Sequence, residues 1–229
     1  TTLFRSYFSE PYLEGRLENL YYQSNQPEII VVAKADSPDA QIAFAWKERY
    51  PDYTKFQMIL TPDVPTIYAA WNMAIEKSTG EFLTSANTDD RLYPQAIEKM
   101  AAKLAKHSDA ALVYANVDIL EQLDGEPVGR FDWNEGGFKE LLGGCFCGPM
   151  PMWRKSLHDK YGMFDASLHV AGDYEMWLRI TKAGEKLLKI PEPLGAYLDR
   201  RDSAEKRQKI RTLQEPSRVR SRYGAYAYG

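Results

Sequence analysis

The stretch Gly80-Glu81-Phe82-Leu83-Thr84-Ser85-Ala86-Asn87-Thr88-Asp89-Asp90-Arg91 decides how the chain is read. Phe82 and Leu83 are strand material, and Ala86 is small enough for a packed layer. Asn87, Asp89 and Asp90 arrive where that strand should end. Oxygen ligands clustered at a strand's carboxyl end mark the edge where α/β folds bind ligands. Carboxylate and amide oxygens suit a hard divalent cation and leave room for phosphates. One reading is therefore a metal–diphosphate site. The other is a surface turn, for which Asn and Asp are equally suited. The twelve residues do not choose between them; their neighbours do.

Working upstream, Pro65 opens a helix through Tyr68, Trp71, Asn72, Ala74 and Ile75, which Gly80 stops. Phe56 to Leu60 reads as a strand. Glu28-Ile29-Ile30-Val31-Val32-Ala33 is a continuous β-branched run, the mark of a strand buried on both faces. Asp36-Ser37-Pro38-Asp39 is a turn and helix start, followed by Ile42, Phe44, Ala45 and Trp46. Tyr12, Leu13, Leu17, Leu20 and Tyr21 form one apolar helix face, with Pro11 in its first turn. Leu13 to Ser24 superficially resembles vector protease sites, but its helical spacing leads into the first visible strand and marks it as part of the fold. Downstream, Pro94 starts a helix through Leu104, and Ala110 to Tyr114 is a strand. Helix and strand thus alternate about every 25–30 residues, the pattern of parallel βαβ units. Right-handed crossovers put the strand ends near Lys34, Thr61 and Asn87 along one crevice.

The second half changes character. Residues 118–150 are glycine-rich and loop-like. A helix over Lys155 to Tyr161 follows, then an amphipathic helix from Gly172 to Ile180 with acids at its start, where they suit the helix dipole. Leu187 to Ile190 and Leu194 to Leu198 read as two strands. The expected organisation is one domain over 1–200, with halves at 1–117 and 118–200, and a basic tail over 201–229. That tail reads as a solvated helix near Ala204 to Leu213 with a frayed end; the alternative is an arm that closes over an anionic ligand.

The 229 residues carry a net charge of −3, which excludes a strongly basic nucleic-acid binder. At 44% hydrophobic and 27% charged the chain is an ordinary globular one. Cys145 and Cys147 are too close to bridge and lack the second ligand pair of a zinc site, so both read as reduced, which fits a cytoplasmic location. No apolar run reaches the ~20 residues of a membrane span. The first residue is Thr1 rather than Met, which reads as a clipped chain or a fragment. There is no Gly-x-x-x-x-Gly-Lys-Ser/Thr loop, no Gly-x-Gly-x-x-Gly turn after the first visible strand, and no Gly-x-Ser-x-Gly elbow. His107, His158 and His169 lack ligand spacing and read as surface or capping residues. Asp173 reads either as a helix N-terminal acid or as a general base facing the crevice.

Taken together, four stretches resemble the family 2 glycosyltransferases of GT-A fold: Thr1-Thr2-Leu3-Phe4-Arg5; Trp71-Asn72-Met73-Ala74-Ile75 through Gly80-Glu81-Phe82; Asn87-Thr88-Asp89-Asp90; and the block running from Gly148 through Gly162-Met163-Phe164-Asp165 to Gly172-Asp173-Tyr174-Glu175. The resemblance implies a three-layer α/β/α sandwich with a mixed, mostly parallel sheet. It implies inverting transfer of a sugar from a nucleotide-diphosphate sugar to a glycan or other hydroxyl acceptor. It gives Asp89 as the ligand of a divalent metal (Mn²⁺ or Mg²⁺), and Asp173 as the catalytic base. Thr2, Arg5, Asp36, Asn72, Asn87 and Asp90 are the donor-binding residues it implies. Acceptor choice is expected in residues 118–150, where Phe131, Trp133, Phe138 and Phe146 could stack on sugar rings or pack as core.

Three departures stand beside it. Lys34 occupies the place of an acid that reads the nucleotide base, with Asp36 as a substitute. Gly172 replaces the first of two acids. The fold also wants an apolar strand of about five residues before Thr2, so further chain or another segment is expected to fill that place. Lys34 and Gly172 favour an alternative, a degenerate domain that binds sugar nucleotide without turnover; Asp89 and Asp173 oppose it. A nucleotidyltransferase would carry a Gly-rich basic loop after its first strand, which Thr1 to Glu10 lacks.

Overall fold

The computed structural model describes residues 1–6, 9–85, 87–200 and 209–224, with the backbone alone for Phe4, Arg5 and Lys209. Its centre is one sheet in the order β3-β2-β1-β4-β8-β6-β9-β5, with β7 paired to β6. The first four neighbours are parallel: β3 (Phe56–Thr61), β2 (Ile29–Lys34), β1 (Thr2–Ser6) and β4 (Phe82–Ser85). Helices α1 (Glu10–Tyr21), α2 (Pro38–Arg49) and α3 (Ile67–Lys77) make the crossovers. After β5 (Arg91–Leu92) and α4 (Ala96–Lys106) come β6 (Ala110–Leu120), β7 (Gly129–Phe131) and a short α5 (Phe138–Leu141). Strand β8 (Met152–Arg154) runs antiparallel between β4 and β6. Helices α6 (Ser156–Tyr161) and α7 (Gly172–Lys182), strand β9 (Lys186–Leu198) and helix α8 (Lys209–Arg222) complete the order.

Both faces of the sheet are covered, as the unbroken apolar run in β2 requires. Ile30 and Val32 join one core with α3 and α7, around Trp71, Trp153 and Trp177. Ile29, Val31 and Ala33 join the other with α1, α2 and α4, around Leu17, Trp46 and Met100. Side chains alternate along a strand, so two helical layers can share one continuous apolar sequence.

Four expectations need correction. No gap stands before Thr2: β1 itself fills the place between β2 and β4. Its carboxyl end is therefore Ser6, and Thr2–Arg5 make up the rest of the strand. The two strands expected after Leu187 are one, β9, whose register against β6 shifts where Pro191 and Pro193 cannot donate to the ladder. Asn116 Nδ2 donates to the Pro191 carbonyl there. Ala204 to Gln208 and residues 225–229 lie outside the described residues; Ile210 and Leu213 are exposed as expected, but further along α8 is docked rather than free: Glu215 and Val219 are buried, and Phe138 packs edge-on against Tyr223 just past the helix. Finally, His158 is not a surface residue. It is buried and accepts from Trp153 Nε1 at 2.9 Å. Burial pushes its pKa down to about 4, so it is neutral at pH 7. Cys145 is exposed and Cys147 buried, and both are free. Among the described residues no helix is long and apolar enough to cross a membrane.

Candidate active site

The carboxyl edge of the parallel strands gathers the loops after Ser6, Lys34, Thr61 and Ser85. Ser6 and Ser9 are both held by Asp39, which is fully buried in the first turn of α2 and accepts from the Ser6 hydroxyl at 2.6 Å and the Ser9 N–H at 3.0 Å. After β2, Lys34 and Asp36 are both exposed. Asp36 has φ 59°, a conformation Asp tolerates better than most residues. It lets Ser37 turn back to donate to the Lys34 carbonyl and cap α2 by accepting from the Ala40 N–H.

The acidic loop is divided by direction. Asp90 is 1% exposed. Its carboxylate accepts from Asn87 Nδ2 at 2.9 Å and from the Leu198 N–H at 3.3 Å. Burial first, and the neighbouring Asp89 charge second, push its pKa up to about 6; Arg16 opposes that rise. Arg16 on α1 is itself fully buried, and burial pulls its pKa down to about 10, with Asp90 the largest attraction holding it up. Its Nε and Nη2 have no hydrogen-bond partner. Asp90 thus ties the loop to β9 and faces the protein interior, which removes it from the ligand contacts the resemblance implied; Asn87 is turned to it. Asp89 remains at the accessible edge. Its Oδ2 is held at 2.8 Å by Arg200 Nε, and the Arg200 guanidinium lies 4.6 Å from the Tyr12 ring centre.

Asp173 lies in the first turn of α7. Its Oδ1 accepts from the Tyr68 hydroxyl at 2.9 Å and from the Tyr174 N–H at 2.8 Å. Tyr68 is buried in the first turn of α3, which Thr66 caps by accepting from the Ala69 N–H. The same Thr66 hydroxyl donates to the Ala166 carbonyl, joining α3 to the chain that leads into α7. Burial, reinforced by the Asp173 charge, raises the Tyr68 pKa well above 10, so Tyr68 stays a donor. Gly172 has a steric cause. A Cβ there would meet Cδ2, Cε2 and Cγ of Tyr68 at 2.6 to 2.7 Å. The ring that holds Asp173 occupies the space a second acid would need.

Other predicted residues go elsewhere. Thr2 stands at the amino end of β1, opposite the crevice, with its side chain fully buried; this corrects its assignment to the donor site. The side chain of Arg5 lies outside the described residues, as does Ala86. Asn72 spends both ends of its amide on the Phe164 backbone. Phe146 is core, and Phe138 is half-buried against it. Phe131 and Trp133 stack on each other at 4.8 Å and 16°. Sequence reading missed Tyr68 and Arg200 as site residues. Tyr68 looks like one more apolar position on a helix, and nothing near Arg200 in sequence marks its partner 111 residues away.

The model of the glycosyl transferase family 2 matches residues 4–161, more than half of the chain. The chain belongs to this family. Among curated proteins it is 29% identical over 181 residues to the uncharacterized glycosyltransferase YwdF of Bacillus subtilis, covering 75% of this chain and 64% of that protein. It is 24% identical over 199 residues to the amylovoran biosynthesis glycosyltransferase AmsE of Erwinia amylovora, covering 86% of this chain and 74% of that one. The fold resembles the mannosyltransferase PcManGT of Pyrobaculum calidifontis, solved with GDP-Man and Mn²⁺, with TM-score 0.74 at 17% identity over 97% of this chain and 63% of that one. It also resembles residues 1–349 of TarS of S. aureus, solved with UDP, with TM-score 0.69 at 15% identity over 97% and 69%.

Among the described residues of this family 2 chain, no group of three His, Cys, Asp or Glu stands ready to hold a metal. A divalent cation carried on a diphosphate does not need one. Mg²⁺ sites commonly use one or two carboxylates and take their other oxygens from phosphates and water. Asp89, with its side chain 19% exposed and paired to Arg200, is the carboxylate of this loop that is partly open to solvent.

Proposed function

We propose that the chain transfers a sugar from a nucleotide-diphosphate sugar to a hydroxyl acceptor, with inversion, in glycan or polysaccharide biosynthesis in the cytoplasm. The acceptor oxygen attacks the anomeric carbon as the bond to the diphosphate breaks. The proton of the acceptor hydroxyl passes to Asp173, and the nucleoside diphosphate leaves. One base and no covalent intermediate give inversion, the logic by which single displacement inverts in glycosidases. Tyr68 orients the carboxylate for this step. When bound at Asp89, a divalent cation supplies the charge neutralisation that lets a diphosphate leave.

The observation that carries the reading is the Tyr68–Asp173 bond at the carboxyl edge. A carboxylate is held there by a buried phenol that stays protonated, on the same edge as Asp89. The ligands of PcManGT and TarS support a nucleotide-sugar donor. The test is a panel including UDP-N-acetylglucosamine and GDP-mannose with Mn²⁺, read as UDP or GDP release and as transfer, for the unaltered chain and Asp89→Ala. Loss of turnover and of Mn²⁺-dependent UDP or GDP binding in Asp89→Ala is expected. Unchanged binding overturns the metal assignment.

A second reading, nucleotide-sugar binding without turnover, is favoured by the Arg200–Asp89 ion pair and by exposed Lys34. It wins if the panel shows Mn²⁺-dependent binding but no release from any donor.

A further inference from the structure

Helix α7 presents Asp173 but does not cap itself: Ala171 stands at its N-cap and offers no side-chain acceptor. The three N–H groups that lead into the helix, ending at the N-cap, need an acceptor. It comes from 44 residues further along the chain. The carboxylate of Glu215, buried on α8, accepts from the N–H groups of His169 (3.0 Å), Val170 (2.8 Å) and Ala171 (3.3 Å). An anion at this end also suits the dipole of α7. His169 Nδ1 lies 3.7 Å from the same carboxylate.

Around this contact α8 fastens the neighbouring chain. Val219, one turn on, is fully buried. Arg222 pairs with Asp165 at 3.1 Å. The Tyr223 hydroxyl donates to Glu175 at 2.6 Å, two residues beyond Asp173. Glu175 in turn pairs with Arg179, whose Nη2 donates to the Met163 carbonyl. Residues 162–175 are therefore held from two sides, by α3 through Thr66, Tyr68 and Asn72, and by α8 through Glu215, Arg222 and Tyr223.

We propose that Glu215 is a positioning residue for Asp173, and that α8 is a strap whose docking sets the base for the acceptor step. This rests on the reading of Asp173 as the base. A misplaced reacting group costs rate more than binding, so the effect belongs in kcat. Glu215→Ala in the full chain should lower kcat for donor turnover tenfold or more, leave the affinity for UDP or GDP with Mn²⁺ within twofold, and speed amide exchange over residues 169–174. Glu215→Gln keeps an acceptor oxygen and should recover most of the rate. In an Asp173→Asn background, Glu215→Ala should lower the residual rate no further, because the two act as a unit. The proposal is overturned if Glu215→Ala keeps full kcat, or if it lowers the Asp173→Asn rate by the same factor as it lowers the unaltered rate, which is the mark of a merely structural role. If Glu215→Ala does not fold, Glu215→Asp decides, because the shorter side chain withdraws the carboxylate from these N–H groups: lower kcat and faster amide exchange over residues 169–174 with unchanged nucleotide affinity support the strap, and a rate and exchange pattern identical to the unaltered chain overturn it. Full turnover in Asp173→Asn alone overturns the base assignment instead, so the two failures are distinguishable.

Discussion

Gly172→Ala is the sharpest perturbation the site offers, because two effects of opposite sign meet there. Replacing Gly by Ala within a helix favours folding by about 0.5–1 kcal/mol. Against it stands the Tyr68 ring, 2.6 Å from the new Cβ. Reaching the 3.4 Å of ordinary contact requires a retreat of 0.8 Å (3.4 − 2.6). The ring has little room for it. Tyr68 is 3% exposed and packs edge-on against Trp71 at 5.4 Å, with Phe164 at 5.9 Å. Overpacking of a filled core costs about 1–3 kcal/mol, so the clash should win and Gly172→Ala should lose about 1–2 kcal/mol net. The retreat also draws the hydroxyl from Asp173, and displacements near 1 Å can cost about 100-fold in rate. Urea unfolding and donor turnover measure both. Removing the ring supplies the control: in a Tyr68→Ala background, Gly172→Ala should become neutral or stabilising, because only helix propensity remains. A Gly172→Ala variant within 0.5 kcal/mol of the unaltered chain and turning over at full rate would refute the packing argument. So would a loss of equal size in both backgrounds.

Three further outcomes follow from the charges. Arg200→Ala removes the cation that holds Asp89, so UDP or GDP with Mn²⁺ should bind about tenfold more tightly in a calorimetric titration; unchanged or weaker binding contradicts competition for that carboxylate. Asp90 has its folded pKa raised to about 6 from 3.8, so the stability it contributes is fully present below 3.8 and lost as pH rises through about 6. That loss is of order 3 kcal/mol. Asp90→Asn, which mimics the protonated acid, should abolish this slope between pH 4 and 6.5 in thermal unfolding; an unchanged slope contradicts the assignment. His158 has the reverse sign, with a folded pKa lowered from 6.5 to about 4. Its contribution is present above pH 6.5 and lost as pH falls through about 4. His158→Gln, which keeps an acceptor for Trp153, should flatten acid unfolding across that window, and an unaltered acid limb would show that His158 is not its source.

The parallel half of the fold was legible because its signals are local. The continuous run in β2, the Ser37 and Pro38 start of α2 and the helical spacing of Leu13, Leu17 and Leu20 each report burial on a single element. Strand β8 was missed because three residues, Met152–Arg154, are too few to show a period, and its partners lie on β4 and β6. Helix α8 was misread because its buried face is Glu215 and Val219, an acid and one apolar residue, which no hydrophobic pattern detects. The site divides in the same way. Clustered acids after β4 do stand at the carboxyl edge of the parallel strands. Which acid faces outward was not written there: Arg16 on α1 and Leu198 on β9 turn Asp90 inward, and Arg200 meets Asp89. Gly172, read from the sequence as a defect, is the space that Tyr68 fills.

The central claim is that Asp173 acts on the acceptor while the donor is held elsewhere. Single-turnover transfer by Asp173→Asn, measured beside Mn²⁺-dependent UDP and GDP affinity on the same preparation, tests it most directly. A general base contributes about 10²–10⁴ in rate. We expect a loss of that size in transfer with nucleotide affinity within twofold of the unaltered chain. Transfer at the unaltered rate with intact affinity contradicts the account.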